Sequence, residues 1–162
     1  PPWFALNDTA IGGYRTLAKV APPLRSEEDR RALAEAIRDG TIDVIGSTHE
    51  LIAAQDKDRT FTSARAGGAG LESLLAITLE LVHNDILPLL TAVSCLTVGP
   101  ARVLGLDQGR IAVGTAADLC LFDPDIGWRL PVDPPSPFSG RPVQGRVLET
   151  TVGGRSIYAD SR

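Results

Sequence analysis

Gly40-Thr41-Ile42-Asp43-Val44-Ile45-Gly46-Ser47-Thr48-His49 is the stretch that decides the fold. Ile42, Val44 and Ile45 are β-branched residues in a short run, the composition of a mostly buried strand in a parallel sheet. A helix leads straight into it. Ser26 is a good cap, Asp29 sits three residues on, and Glu27, Glu28 and Asp29 place three acids in the first turn, where the helix dipole favours them. Leu33, Ala34 and Ile37 form an apolar stripe at helical spacing, and Gly40 is the expected stop. Helix, strand and polar loop in this order are the grammar of a barrel or a doubly wound sheet. Such a strand delivers Ser47, Thr48 and His49 to a pocket at its C-terminal end.

Upstream, residues 1–25 are rich in Pro and Gly. Phe4-Ala5-Leu6 reads as the close of a strand, and the rest as a long loop. Downstream, a polar loop from His49 to Gly70 carries Asp56-Lys57-Asp58-Arg59 and the small, flexible Ala66-Gly67-Gly68-Ala69-Gly70. An apolar helix follows from Leu71 to Asn84. Pro88 opens another that reaches about Leu96, and Pro100 a short one over Ala101–Leu104, stopped by Gly105. The tail then turns to β. Arg110–Gly114 and Asp118–Phe122 are short strand-like runs, and Val147–Val152 and Arg155–Tyr158 flank Gly153-Gly154 as a hairpin. Pro131 to Pro142 is a Pro-rich loop. A domain boundary is expected near residue 105, giving 1–105 and 106–162.

With 162 residues and 43% hydrophobic content, the chain is an ordinary globular sequence. Its net charge of −4, with acids and bases interspersed, gives no footprint for nucleic acid. Apolar runs such as Leu74–Leu79 are far too short to span a bilayer, and no signal peptide is visible, so the expected location is the cytoplasm. The chain opens Pro1-Pro2-Trp3 and has no methionine, and two strands' worth of barrel grammar leaves sheet edges open. Both features lead us to expect a piece of a longer protein, the remainder of the barrel lying upstream of Pro1. Cys95 and Cys120 are too far apart for a close metal-ligand pair and form no disulfide framework; they read as small core residues.

Several strings, in order and nearly at family spacing, resemble the C-terminal part of dihydroorotases. They are Tyr14-Arg15-Thr16 with Pro22-Pro23-Leu24-Arg25-Ser26-Glu27-Glu28-Asp29-Arg30, Asp39 to Ile45, Asp56-Lys57-Asp58-Arg59 with Phe61, and Gly70-Leu71-Glu72. Gly99 to Leu106, Gly114 to Pro124, Pro137-Phe138-Ser139-Gly140, Gly145-Arg146-Val147 and Val152-Gly153-Gly154-Arg155 continue the series. The resemblance implies an α/β fold: the last strands and helices of a (β/α)8 barrel plus part of a small β-sandwich. Residues 1–8 would end the seventh strand, 41–48 would be the eighth, and 106–162 the sandwich share. It implies reversible closure of a six-membered cyclic amide between carbamoyl aspartate and dihydroorotate. In that chemistry a zinc ion activates water and an aspartate after the eighth strand moves the proton.

By the same resemblance, that aspartate position is Thr48, a degenerate general-base site, followed by the family's histidine as His49. The family's substrate-contacting positions fall at Ala21, Ile52, Ala66 and Gly67, where only the glycine matches. A His-His pair falls at Pro2-Trp3; no metal ligand lies in this segment, and the remaining ligands would lie on earlier strands, upstream of Pro1. Turn and cap strings are kept while the chemical side chains are replaced. A threonine hydroxyl does not titrate near neutrality and cannot act as the base. The expectation is a non-catalytic dihydroorotase-like protein of pyrimidine biosynthesis, with zinc absent or weakened, that serves aspartate transcarbamoylase as a structural partner or assembles with itself. The alternative is an active zinc-dependent cyclic amidohydrolase (dihydroorotase, allantoinase or hydantoinase type), with His49 or Glu50 as substitute proton carrier. A free-standing binding module is a third reading.

Other signals read more plainly. His49-Glu50 opens a His-Glu-x-x-His pattern that Ala53 breaks. His83 sits late in an apolar helix, where a structural role is expected. Ala66–Gly70 lacks the Lys-Ser/Thr of a phosphate loop. Asp56-Lys57-Asp58-Arg59 reads as a solvated loop. Trp128, Pro134-Pro135 and Pro137-Phe138 read as packing between sandwich and barrel.

Overall fold

The computed structural model describes residues 1–161. The helices come first: α1 (Pro2–Ala5), α2 (Glu27–Arg38), α3 (Ala54–Lys57), α4 (Leu74–His83), α5 (Leu89–Leu96) and α6 (Val98–Leu104). Two 3-10 segments, Asp8–Tyr14 and Thr16–Ala18, order the region expected to be loop. An antiparallel sheet of order β1-β2-β3 closes the chain: β1 (Leu119–Arg129), β2 (Pro142–Val152) and β3 (Arg155–Ala159). The molecule is a partial α/β unit with a small antiparallel sheet.

Helix α2 forms for the reasons its sequence carries. The Ser26 side chain accepts from the Asp29 N–H, the Asp29 carboxylate accepts from the Ser26 N–H, and Gly40 leaves the helix at φ +82°. Ala34 and Ile37 are its buried face. Helix α4 is apolar nearly all round, and Ala76, Ile77, Thr78, Leu79 and Leu81 are all buried. It begins three residues later than the periodicity suggests, because Leu71 to Ser73 form a turn. Helix α6 begins earlier, at Val98, with Pro100 inside its first turn.

Three expected strands do not form. Phe4-Ala5 lies in α1, where the Leu6 N–H bonds the Pro2 carbonyl and proline's fixed φ suits a helical start. Residues 41–48 form no strand, and Thr48 at their end has φ +50°. The Ile42 N–H goes to Ala36 O and the Ile45 N–H to Cys95 O, so each is satisfied by a helix instead of a strand. Arg110–Gly114 is irregular, with Ile111 and Val113 in solvent. In the sheet, β1 is longer than expected and passes through two register shifts around Phe122 and Asp123–Gly127. Gly153 and Gly154, at φ +56° and +77°, make the two-residue turn between β2 and β3.

The main core joins α2, Ile45, α4, Leu87 and α5 to Leu130, Phe138 and Val143, so it includes residues on both sides of position 105. Each buried Leu, Ile or Phe there contributes roughly 1.5–3 kcal/mol. Cys95 belongs to this core, and its burial pushes the thiol up. Cys120 does not; it is exposed on β1, correcting the reading of both as core residues. No helix among the described residues is long and apolar enough to cross a membrane.

Candidate functional site

The run from Thr41 ends at a small cavity of about 40 Å³. Four other segments meet it there: Pro2-Trp3 of α1, Val20-Ala21, the Gly67–Gly70 stretch, and Pro137-Phe138 from the Pro-rich loop. Ser47, Thr48 and Glu50 supply the polar wall, with buried Ser73 behind them donating to the Gly70 carbonyl. The close approach of these segments depends on glycine. A Cβ at Gly70 would run into the Ser47 carbonyl, and one at Gly67 into the Glu50 carboxylate. Gly67 also sits at φ +111°, which side-chain-bearing residues rarely adopt.

Thr48 is exposed at the cavity rim with φ +50°, an uncommon conformation for a β-branched residue. Its hydroxyl donates to the Ser47 carbonyl at 2.7 Å. His49 turns away from the cavity; its Nδ1 accepts from the Gly70 N–H at 3.2 Å and so pins the glycine stretch to the strand end. Ala21 and Gly67 lie in the wall with Thr48. Ile52 and Ala66 do not. Ile52 is fully buried beneath Gly67, and Ala66 is half-buried beside it. The structure therefore gathers Ala21, Thr48 and Gly67 and leaves His49, Ile52 and Ala66 as supports.

Glu50 is the ionisable side chain of the central segment that reaches the cavity. Arg65 donates to its Oε1 at 2.9 Å, and its own N–H bonds the Gly68 carbonyl. The sequence offers it only as the neighbour of a histidine; its inward placement follows from the turn at Thr48. Asp56-Lys57-Asp58-Arg59 is solvated only in part: Asp58 and Arg59 are exposed, while Asp56 and Lys57 end α3. Lys57 is 3% exposed, and its ammonium donates to the Thr16 and Lys19 carbonyls. No sequence signal marks that burial, because it depends on carbonyls some forty residues away.

These groups do not fit a divalent metal. Among the described residues no three His, Cys, Asp or Glu side chains converge. The cavity offers hydroxyls and one carboxylate already paired with arginine, and the Nδ1 of the adjacent histidine is taken by a backbone donor. What the arrangement can do is accept and donate hydrogen bonds, through the Ser47 and Thr48 hydroxyls and the Arg65-paired Glu50 carboxylate.

The sequence model of the Amidohydrolase family matches residues 14–157. A dihydroorotase of Anaplasma phagocytophilum is 42% identical over 98% of this chain and 37% of its own length. One of Geobacter metallireducens is 39% identical over 98% and 39%. Among solved structures, the L-hydantoinase (dihydropyrimidinase) of Arthrobacter aurescens superposes with TM-score 0.87 at 29% identity, over 98% of this chain and 38% of that one. A D-hydantoinase of Bacillus sp. AR9 gives 0.86 at 27%, over 99% and 38%. The chain thus spans less than two fifths of the length of these relatives.

Proposed function

Because the chain belongs to the amidohydrolase family, and its curated relatives are dihydroorotases, we propose that it works in a dihydroorotase-like protein that no longer closes the ring. In this reading residues 1–105 are the last part of the barrel, residues 106–162 are a share of the sandwich, and the zinc of the family is absent or weakly held. The protein's use is as a structural partner of aspartate transcarbamoylase in pyrimidine biosynthesis. One observation carries the reading. The residue at the end of the 41–48 run, on the cavity rim, is Thr48, and its hydroxyl is spent on the Ser47 carbonyl. Loss of a positioned general base removes about 10²–10⁴-fold in rate.

The test uses the full-length polypeptide. It is expected to co-purify with the transcarbamoylase and to show no cyclisation of carbamoyl aspartate above background. Turnover at an ordinary enzymatic rate, or a transcarbamoylase that assembles normally in its absence, would end the proposal.

A second reading is favoured by Glu50, whose carboxylate reaches the same cavity as Thr48. There the protein is an active cyclic amidohydrolase with a displaced acid–base group. Stoichiometric zinc together with turnover of a hydantoin or allantoin, abolished by Glu50→Gln, would select it.

A further inference from the structure

We propose that Lys19 and Lys57 form a reciprocal ammonium clamp that holds residues 53–67 as a strap against the cavity, so that neutralising either lysine releases the strap. Each side chain reaches across to backbone carbonyls of the segment that carries the other. The Lys57 ammonium donates to the carbonyls of Thr16 and Lys19 at 3.2 and 3.1 Å. The Lys19 ammonium donates to the carbonyls of Phe61, Thr62 and Ala64 at 2.8, 3.1 and 2.8 Å, which uses all three of its donors. The Lys19 carbonyl also accepts from the Gly67 N–H at 3.0 Å. One residue therefore ties the cavity wall, the strap and the partner lysine together.

The strap has little else to hold it. Between residues 53 and 67 only Lys57 and Ala64 are buried, so it presents almost no apolar face to the core. Its ion pair between Arg59 and Asp56 is internal, and the one between Arg65 and Glu50 is exposed. The Phe61 ring meets Tyr14 at 6.0 Å between centroids and lies 5.4 Å from the Lys19 ammonium, so even its aromatic anchor leans on the clamp. Hydrogen bonds from a charged donor are roughly twice as strong as neutral ones, and five of them converge here. Lys57 makes no ion pair within 4.0 Å among the described residues. Its charge is held by carbonyls, with the Glu50 carboxylate favouring the charged form against the burial that pushes its pKa down. A segment with few buried apolar groups and a small number of strong polar ties is one that opens as a unit. Opening it removes Gly67 and Gly68 from the cavity wall. The proposal stands whether or not the cavity supports catalysis.

Hydrogen exchange by mass spectrometry on the full-length polypeptide tests it, with trypsin nicking at Arg59 and Arg65 as a second readout. Lys19→Met is expected to speed exchange over residues 53–68 by about tenfold or more, and nicking in parallel, while α2 and the β1–β2 pair keep their protection. Lys19→Arg, which keeps the charge, is expected to retain most of the protection. Lys57→Met should reproduce Lys19→Met; should it fail to fold, the two Lys19 variants decide the matter. Unchanged exchange in Lys19→Met, or loosening spread evenly along the chain, overturns the clamp.

Discussion

At the scale of single residues, the backbone at position 48 does not suit its side chain. Left-handed φ costs a β-branched residue on the order of 1–2 kcal/mol, and asparagine tolerates it far better. Thr48 sits at φ +50°. Thr48→Asn is therefore expected to stabilise the protein by about 1 kcal/mol, read as a higher denaturant midpoint with an unchanged slope. A midpoint that falls would mean that the hydroxyl bond to Ser47 outweighs the strain. Gly70 makes the opposite case. Gly70→Ala drives a Cβ into the Ser47 carbonyl and should destabilise by about 1–3 kcal/mol, with the strap amides losing protection first. The sequence showed that Thr48 ends a run and that the 66–70 stretch is permissive. It did not show that Glu50 turns inward while His49 turns out, since neighbours on an irregular chain take sides only when a third segment, here Gly67–Gly70, packs against them.

At the scale of elements, α2 was legible almost to the residue because a capping box, an acidic first turn and a glycine stop are all local. Ser26→Ala should cost about 1 kcal/mol, measured by equilibrium unfolding. The two ends of the helix predict an acid response. Hydrogen bonds from Arg30, Asn7 and Arg31 hold the Glu27 carboxyl well below its ordinary value of 4.5, and Ser26 and Thr41 depress Asp29 and Asp39 likewise. A carboxylate depressed in the folded state adds stability above its unfolded pKa and loses it as pH falls through the folded value. Stability differences between the native protein and Glu27→Gln are expected to be constant near neutrality and to close below about pH 4.5. A difference that does not change with pH would show that the pairs contribute nothing through their charge. The 41–48 run was harder to read. Its composition demanded an extended conformation, but a ladder needs a neighbour, and its buried amides bond instead to the α2 and α5 carbonyls of Ala36 and Cys95.

At the scale of the whole molecule, the helical part and the sheet are joined by close packing and by contacts between charged side chains, among them Arg141 with Glu80 and His83 with Asp125. Gly145 of β2, at φ +97°, lets the strand lie directly on Leu79 of α4, and the Arg141 guanidinium reaches Glu80 at 2.9 Å. Burial pushes the Glu80 carboxyl up and Arg141 opposes it. Gly145→Ala places a Cβ against Leu79 in a backbone conformation alanine disfavours. It is expected to cost about 1–3 kcal/mol and to raise exchange in α4 and β2 together. Loosening confined to β2 would mean that the sheet does not depend on α4.

The sequence by itself determined the family, the capped helix, the apolar helices and the Gly-Gly hairpin, because each is written in residues near one another along the chain or in strings kept in order. Only the tertiary structure decided which polar groups share the cavity, that Lys57 is buried among carbonyls, and that the 41–48 run finds hydrogen bonds on helices. Those outcomes depend on backbone atoms brought together from distant segments, and a backbone carbonyl carries no residue-type signal for a sequence to display.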